Sequence, residues 1–207
     1  MNNYRSPLLS FTGAAELPDA TSTLIDAAGV PSHYGDPLRE QRFVQRGGVA
    51  VDRSHRAVIR VAGPDAAEFL NNLLSQKLDD APDGYSAAFC DLDIQGRILH
   101  HGDITRAGDT FYLDTPSYQG ESLLEYLTKM IFWSEVTVDK ADLGIITVLG
   151  APSSFAVPES TGAVFSREVD WAGPRRIDIA VPRAQLADAY RALTGADAGL
   201  ELSLIHI

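Results

Sequence analysis

The chain has 207 residues, which allows one large domain or two small ones, and its 45% hydrophobic and 22% charged residues are ordinary for a globular protein. A net charge of −11 without a basic cluster argues against nonspecific nucleic-acid binding, and we expect no direct DNA binding. A single cysteine, Cys90, excludes an internal disulfide and a Cys-rich metal site. No leader pattern and no long apolar run are present, so we expect a cytoplasmic protein that does not span a membrane.

In the first part of the chain, the spacing of apolar residues is weakly periodic up to residue 32 and then predicts distinct helices and strands. Residues 1–32 are rich in Pro, Ala and Gly, and we expect them to wrap the surface in an extended form. Asp36-Pro37 predicts a helix start before residues 38–44, because Pro suits the first helical position and Asp caps free N–H groups. Alternation predicts a strand at 56–61, and apolar spacing predicts a helix over 66–78.

Residues 85–105 predict a β-hairpin around which the rest of this region is arranged. A Gln95-Gly96 turn joins the two strands, since Gly adopts positive φ without steric penalty. The polar run from His100 to Asp103 follows the turn. Such a run either meets a ligand or is the ordinary polarity of a hairpin tip.

The next elements complete a first unit. A strand is predicted at 110–114, a helix near 118–133 and an alternating strand at 135–139. The order over residues 55–140 is therefore β-α-β-β-β-α-β. We predict an α+β fold of ferredoxin-like type with a largely antiparallel sheet.

The remaining sequence predicts a second, weaker copy of the same unit. Strands are predicted at 145–149, 163–168 and 176–181, with a helix at about 183–193. We expect residues 1–141 to hold an N-terminal extension plus the first unit, and 142–201 to hold an incomplete second unit. Residues 202–207 do not fit the preceding pattern and are expected to be a non-native tail, with a short edge strand as the alternative.

A set of short motifs occurs along the chain in a characteristic order. The motifs are His33-Tyr34-Gly35-Asp36-Pro37, Asp52, Ser54-His55, Val61-Ala62-Gly63-Pro64-Asp65, Phe69-Leu70, Gln95-Gly96-Arg97-Ile98 and Val148-Leu149-Gly150. In order and spacing they resemble the folate-binding superfamily of the glycine-cleavage T-protein (aminomethyltransferase), and the chain looks most like its YgfZ-type branch, which is tied to iron–sulfur cluster maturation and tRNA modification. The resemblance implies tetrahydrofolate as cofactor and iron–sulfur enzymes or assembly factors as partners.

Two departures from the family pattern bear on activity. The T-protein hairpin carries Gly-Gly-Ile-x-Asp-Asp, whereas this chain places His100 and His101 at the aspartate positions. A neutral imidazole does not supply the negative charge that stabilises a developing iminium cation, so we do not expect aminomethyl transfer. The YgfZ-type motif Lys-Gly-Cys-Tyr-x-Gly-Gln-Glu is not found in this sequence, and Cys90 does not replace it.

Within this resemblance, five residues are the predicted folate contacts. A pterin ring needs an apolar slot, an aromatic wall and a group for its aminopyrimidine edge, and the anionic tail of folate needs a local cation. The predicted contacts are Arg97, His100, Tyr112, Asp114 and Asp91.

Other interpretations stay open from sequence. His100 and His101 suggest a metal, but neighbouring residues on a strand point to opposite faces. Ser54-His55 suggests a nucleophile pair without an orienting third group. The alternative functions are an active aminomethyltransferase that uses His100 or Asp103 as its acid, and a non-enzymatic interaction domain that has lost its pocket.

Overall fold

The structure, a computed structural model, describes residues 4–17, 26–195 and the backbone of 201–202. Within these residues no helix is long and apolar enough to cross a membrane. The chain folds as two compact units, residues 56–142 and a second unit built from 1–55 together with 143–207. In chain order the elements are α1 (Pro37–Phe43), β1 (Val49–Asp52), β2 (Ala57–Ala62), α2 (Ala66–Leu73), β3 (Ser86–Leu92), β4 (Ile98–Ala107), β5 (Thr110–Thr115), α3 (Gly120–Lys129), β6 (Thr137–Ala141), β7 (Leu143–Leu149), β8 (Phe165–Val169), β9 (Arg176–Pro182), α4 (Leu186–Thr194) and β10 (Glu201–Leu202).

The unit of residues 56–142 is a five-stranded antiparallel sheet with two helices on one face. Its strand order is β3-β4-β5-β2-β6. The helix-covered face buries a continuous apolar core in which side chains of α2 and α3, such as Leu70 and Leu127, pack against Phe89, Ile104 and Leu113. The element order β-α-β-β-β-α-β is the one that the sequence predicts.

Helix α2 is shorter than its apolar spacing predicts. It ends at Leu73, because Leu74 has extended backbone angles (φ −112°, ψ 163°). Leu74 and Leu78 are nevertheless buried in the same core. Apolar periodicity therefore marked core residues correctly but did not mark the end of the helix.

The division of the chain differs from the expected halves 1–141 and 142–201. Strand β1 pairs antiparallel with β7, in a sheet of order β10-β1-β7-β9-β8, so residues 1–55 belong with the C-terminal part. Every residue of β1 is buried, so it lacks the alternation that would have revealed it as a strand. The sheet that the sequence left incomplete takes this strand from the N-terminal segment.

The N-terminal segment is anchored rather than merely wrapped over the surface. A 3₁₀ turn at Pro7–Ser10 places Leu8 in the core with α4 residues such as Tyr190. An isolated bridge pairs Ala15 with His33. At the other end, Glu201–Leu202 form β10, while the rest of the expected 202–207 tail lies outside the described residues.

Candidate functional site

The predicted hairpin is present, and its turn is organised by one aspartate. Asp93 Oδ1 accepts hydrogen bonds from the backbone N–H groups of Gln95 and Arg97, at 2.8 and 2.9 Å. Gly96 follows with φ 78°, which suits glycine. The bond from the Arg97 N–H lowers the pKa of the Asp93 carboxyl. The turn is therefore held together by hydrogen bonds of its own residues.

Arg97, the predicted cation for the folate tail, belongs to this turn. Its Nε donates to Asp93 Oδ2 at 2.7 Å and its Nη2 donates to Gln95 Oε1 at 2.9 Å. The side chain is 75% exposed. Arg97 is thus accessible to an anion, although its charge is already shared with Asp93.

Asp91 and His100 form a buried pair across the two strands of the hairpin. They are direct partners in the antiparallel register, and both face the helix-covered side of the sheet. His100 Nδ1 lies 2.7 Å from Asp91 Oδ2, and Asp91 is only 1% exposed. The carboxylate of Asp91 is therefore buried against the imidazole.

A third residue, which sequence reasoning missed, completes this group. His100 Nε2 lies 3.0 Å from Ser122 Oγ, in the first turn of α3. Tyr126, one helical turn later, stacks on the imidazole with ring centroids 6.1 Å apart and planes at 25°. Burial and the negative charge of Asp91 raise the pKa of Tyr126. The available signal was the i, i+4 spacing of Ser122 and Tyr126, which puts both on one helix face.

Tyr112 and Asp114 lie on the opposite face of the sheet. Both alternate with the core residues Phe111 and Leu113 of β5. Asp114 is buried, and Arg56 holds it with Nε at 2.7 Å from Oδ2. The half-buried Tyr112 is the cross-strand partner of residues on both neighbouring strands.

The structure does not bring the five predicted residues into one pocket. Asp91 and His100 contact each other on the helix-covered face, Tyr112 and Asp114 lie on the other face, and Arg97 is in the turn. Tyr112 pairs with Thr105, eight residues along the chain from Arg97. At about 3.3 Å per strand residue this corresponds to about 26 Å, far more than one pterin ring spans.

The other candidate residues have structural partners. His101 points away from His100, and its backbone N–H donates to a glutamine side chain. Ser54 Oγ donates to Asp52 Oδ1 at 2.5 Å, whereas His55 Nε2 lies 3.5 Å from Asp26 Oδ2, so Ser54 and His55 do not form a nucleophile pair. In the described part of the chain, no group of three His, Cys, Asp or Glu side chains is placed to hold a metal.

A cleft of about 440 Å³ lies at the far end of the same sheet from the hairpin turn. It is lined by residues 62–64, 66 and 67 at the turn after β2, and by Arg106, Asp109 and Phe111 around the β4–β5 turn. None of the five predicted folate contacts lines this cleft. Its place in the fold therefore differs from the one that the sequence singled out.

Comparison with known proteins supplies the family. Residues 29–195 match the GCVT N-terminal domain. The chain belongs to this family. It also superposes on the glycine cleavage system aminomethyltransferase T of Bartonella henselae with a TM-score of 0.76 at 20% identity, over 95% of this chain and 57% of that one. At this identity the superposition shows the shared fold.

Curated relatives of this GCVT-domain chain carry two kinds of name. An aminomethyltransferase of Stenotrophomonas maltophilia is 29% identical over 132 residues, 61% of this chain and 36% of that protein. An iron–sulfur cluster assembly factor IBA57 homologue of Pyricularia oryzae is 28% identical over 98 residues, 45% of this chain and 25% of that protein. The chain therefore spans about a third or less of the length of these relatives.

Proposed function

We propose that this protein binds a reduced folate without transferring an aminomethyl group, and supports iron–sulfur enzymes or tRNA modification in the cytoplasm as a YgfZ-like member of its family. Membership of the GCVT family and an iron–sulfur assembly factor among its relatives support the proposal. The aminomethyltransferases among the same relatives make transfer activity the alternative to be tested.

The observation that carries the proposal is the placement of His100. It stands where the family pattern has an aspartate, and both its ring nitrogens are engaged, by Asp91 and Ser122. The carboxylate that contacts this ring, Asp91, is itself buried. Asp103 does not act jointly with His100, because residues three apart on a strand face opposite sides. The charge that would stabilise an iminium ion is therefore not presented on this face.

For the folate ring we favour the helix-free face of the sheet, with Tyr112 as the aromatic wall. Tyr112 is half-buried there, so it can offer a ring face while its other edge is held by neighbouring strands. The charge of Asp114 is paired with Arg56, so we assign Asp114 a structural role in the sheet and not a contact with the ligand. We keep Arg97 as the exposed cation that pairs with an anionic group on the folate tail. It lies too far from Tyr112 for both residues to contact the pterin ring.

Titration calorimetry with tetrahydrofolate tests the binding claim. We expect saturable heat from the full chain and a rise in its melting temperature. Tyr112→Leu should weaken binding by about 2- to 12-fold, since an aromatic pair contributes about 0.5–1.5 kcal/mol. Tyr118→Leu is the matched control, because Tyr118 is an exposed tyrosine of the same unit. If the titration gives no heat and the melting temperature does not rise at millimolar ligand, the binding claim is wrong and the interaction-domain alternative remains.

The transfer claim has its own assay. The protein is mixed with tetrahydrofolate and a lipoyl-bound aminomethyl donor, and formation of methylenetetrahydrofolate is followed. We expect no product above the protein-free control. Turnover would establish the aminomethyltransferase alternative while leaving folate binding intact.

A further inference from the structure

We propose that Asp91, His100 and Ser122 form a second functional site, in which Ser122 is a nucleophile toward small activated acyl esters. The inference does not depend on folate, since all three residues lie on the helix-covered side of the sheet, away from Tyr112. It joins one residue from each of three elements: β3, β4 and α3. Two of the three were singled out by the sequence for a different role.

The distances form a continuous hydrogen-bonded chain. Asp91 Oδ2 to His100 Nδ1 is 2.7 Å, and His100 Nε2 to Ser122 Oγ is 3.0 Å. Both distances fall within the range of roughly 2.6–3.2 Å expected for hydrogen bonds in such a site. At that range a base can activate a hydroxyl, and a third group can orient the base. The Asp91 carboxylate contacts one nitrogen of the His100 ring and the Ser122 hydroxyl contacts the other. General-base activation of a hydroxyl by a histidine requires this order.

Exposure increases along this series of hydrogen bonds, from the buried carboxylate of Asp91 to the exposed hydroxyl of Ser122. Asp91 is 1% exposed and His100 is 9% exposed, whereas Ser122 is exposed on the surface of α3. Stacking on Tyr126 fixes the ring plane. The carboxylate and imidazole are thus held in a low-dielectric position, and only the nucleophile meets solvent.

The site has satisfied hydrogen bonds in both protonation states of the imidazole. When His100 is neutral, its Nδ1–H donates to Asp91 and its Nε2 accepts from the Ser122 hydroxyl. When His100 carries a second proton, its Nε2–H donates to Ser122 Oγ, and the hydroxyl donates instead to the Gln119 carbonyl, which lies 3.0 Å away. A proton can therefore pass from Ser122 to His100 and back without leaving a buried group unpaired.

The reaction that this arrangement supports is ester hydrolysis in two steps. Ser122 Oγ forms a bond to the acyl carbon while its proton moves to His100 Nε2, and the leaving alcohol takes that proton as the ester C–O bond breaks. Water then loses a proton to Nε2 and attacks the acyl-serine, and Ser122 regains the proton as the acyl–Oγ bond breaks. Ester and water give acid and alcohol, with no other reactant. Ser122 is exposed, so the site offers an ester few binding contacts, and the reaction depends on the ester's own reactivity. Activated esters with small acyl groups are therefore the expected substrates.

Covalent labelling of the full chain with a fluorophosphonate tests the proposal, with the modified residue identified by peptide mass spectrometry. We expect Ser122 to be labelled, and Ser122→Ala, a change at an exposed position, to remove that label. Ser166, an exposed serine on β8, is the internal control and should react at least tenfold more slowly. His100→Gln should slow labelling of Ser122 on the order of 10²-fold or more.

Asp91 acts through the histidine, and its role needs a separate readout. Asp91→Asn should slow the labelling of Ser122 by about tenfold or more, because the imidazole loses the acceptor that orients it, while the labelling of Ser166 stays unchanged and circular dichroism shows a folded protein. Asp91→Glu, which keeps a carboxylate, should restore part of the rate at Ser122. If Asp91→Asn or His100→Gln fails to fold, the wild-type comparison of Ser122 with Ser166 decides. An unlabelled Ser122, or one that reacts no faster than Ser166, would overturn the proposal, and it would leave the folate titration unaffected.

Discussion

Replacing Asp178 by asparagine should destabilise the unit that contains it more than any surface change of equal size. The carboxylate of Asp178 is fully buried in the sheet of β1 and β7–β9. It accepts from Arg167 Nη2 at 2.9 Å, Arg176 Nη2 at 2.6 Å and Thr147 Oγ1 at 2.6 Å, with Arg53 Nη1 3.8 Å away. Asparagine has almost the same shape, but it removes the charge and turns one acceptor oxygen into a donor.

The magnitude follows from the burial of the partner. Arg167 is itself buried, so the variant removes a negative charge that pairs with a guanidinium in the interior. Breaking a buried ion pair by removing one partner costs about 3–5 kcal/mol. An exposed pair such as Asp188–Arg191, at 2.7 Å, contributes about 0–1 kcal/mol. Asp188→Asn is therefore the matched control.

The same carboxylate predicts a pH dependence with a definite sign. Burial by itself raises the pKa of Asp178, but the charge of Arg167 and the hydrogen bond from Arg176 outweigh it and hold the pKa well below its ordinary value. A depressed pKa in the folded state means that the stabilisation is present above the unfolded pKa of about 3.9 and is lost as pH falls below it. The gap between wild type and Asp178→Asn should therefore be constant near neutral pH and shrink below about pH 4.

Urea unfolding followed by tryptophan fluorescence measures the effect. The chain has two tryptophans, and Trp133 is 96% exposed, so Trp133→Phe leaves Trp171 as a reporter of the unit that contains Asp178. In this background, we expect Asp178→Asn to lower the free energy of unfolding by about 3–5 kcal/mol. A loss below about 1 kcal/mol, as expected for an exposed pair, would refute the argument from burial.

Two further predictions concern backbone geometry and a second buried acid. Gly63→Ala should lower the free energy of unfolding in urea by about 1–3 kcal/mol more than Gly96→Ala does. A Cβ at residue 63 would lie 2.2 Å from the Glu135 carbonyl oxygen, whereas a Cβ at residue 96 would meet open space. Equal losses for the two variants would contradict this. Asp52→Asn should cost less than Asp178→Asn at pH 7. Burial raises the pKa of Asp52 despite hydrogen bonds from two serines, so its charged form weakens the fold as pH rises above about 3.9. Wild-type stability that falls relative to Asp52→Asn between pH 4 and 7 supports this sign, and the opposite trend would refute it.

The hairpin shows how far sequence reasoning reaches. A two-residue turn at positions 95 and 96 would pair residue 91 with residue 100. The structure instead closes the hairpin one residue earlier, with the Asp93 N–H donating to the Arg97 carbonyl, and the register shift after Asp91 restores the Asp91–His100 pair. Strand alternation places both side chains on one face, so the local pattern predicts the pair although it does not predict the shift. The predicted grouping with Tyr112 and Asp114 is different, because those residues alternate onto the other face of β5.

Sequence alone determined the type and the order of the elements of residues 56–142, although not all of their ends, since backbone periodicity and turn chemistry act over a few residues. It did not determine that β1 joins β7, whose paired residues stand about a hundred positions apart, or that Ser122 reaches a ring 22 residues away. Those contacts arise when apolar faces pack against each other, and packing depends on the whole unit. Local patterns select strands and helices, whereas burial of the shared core decides which side chains finally meet.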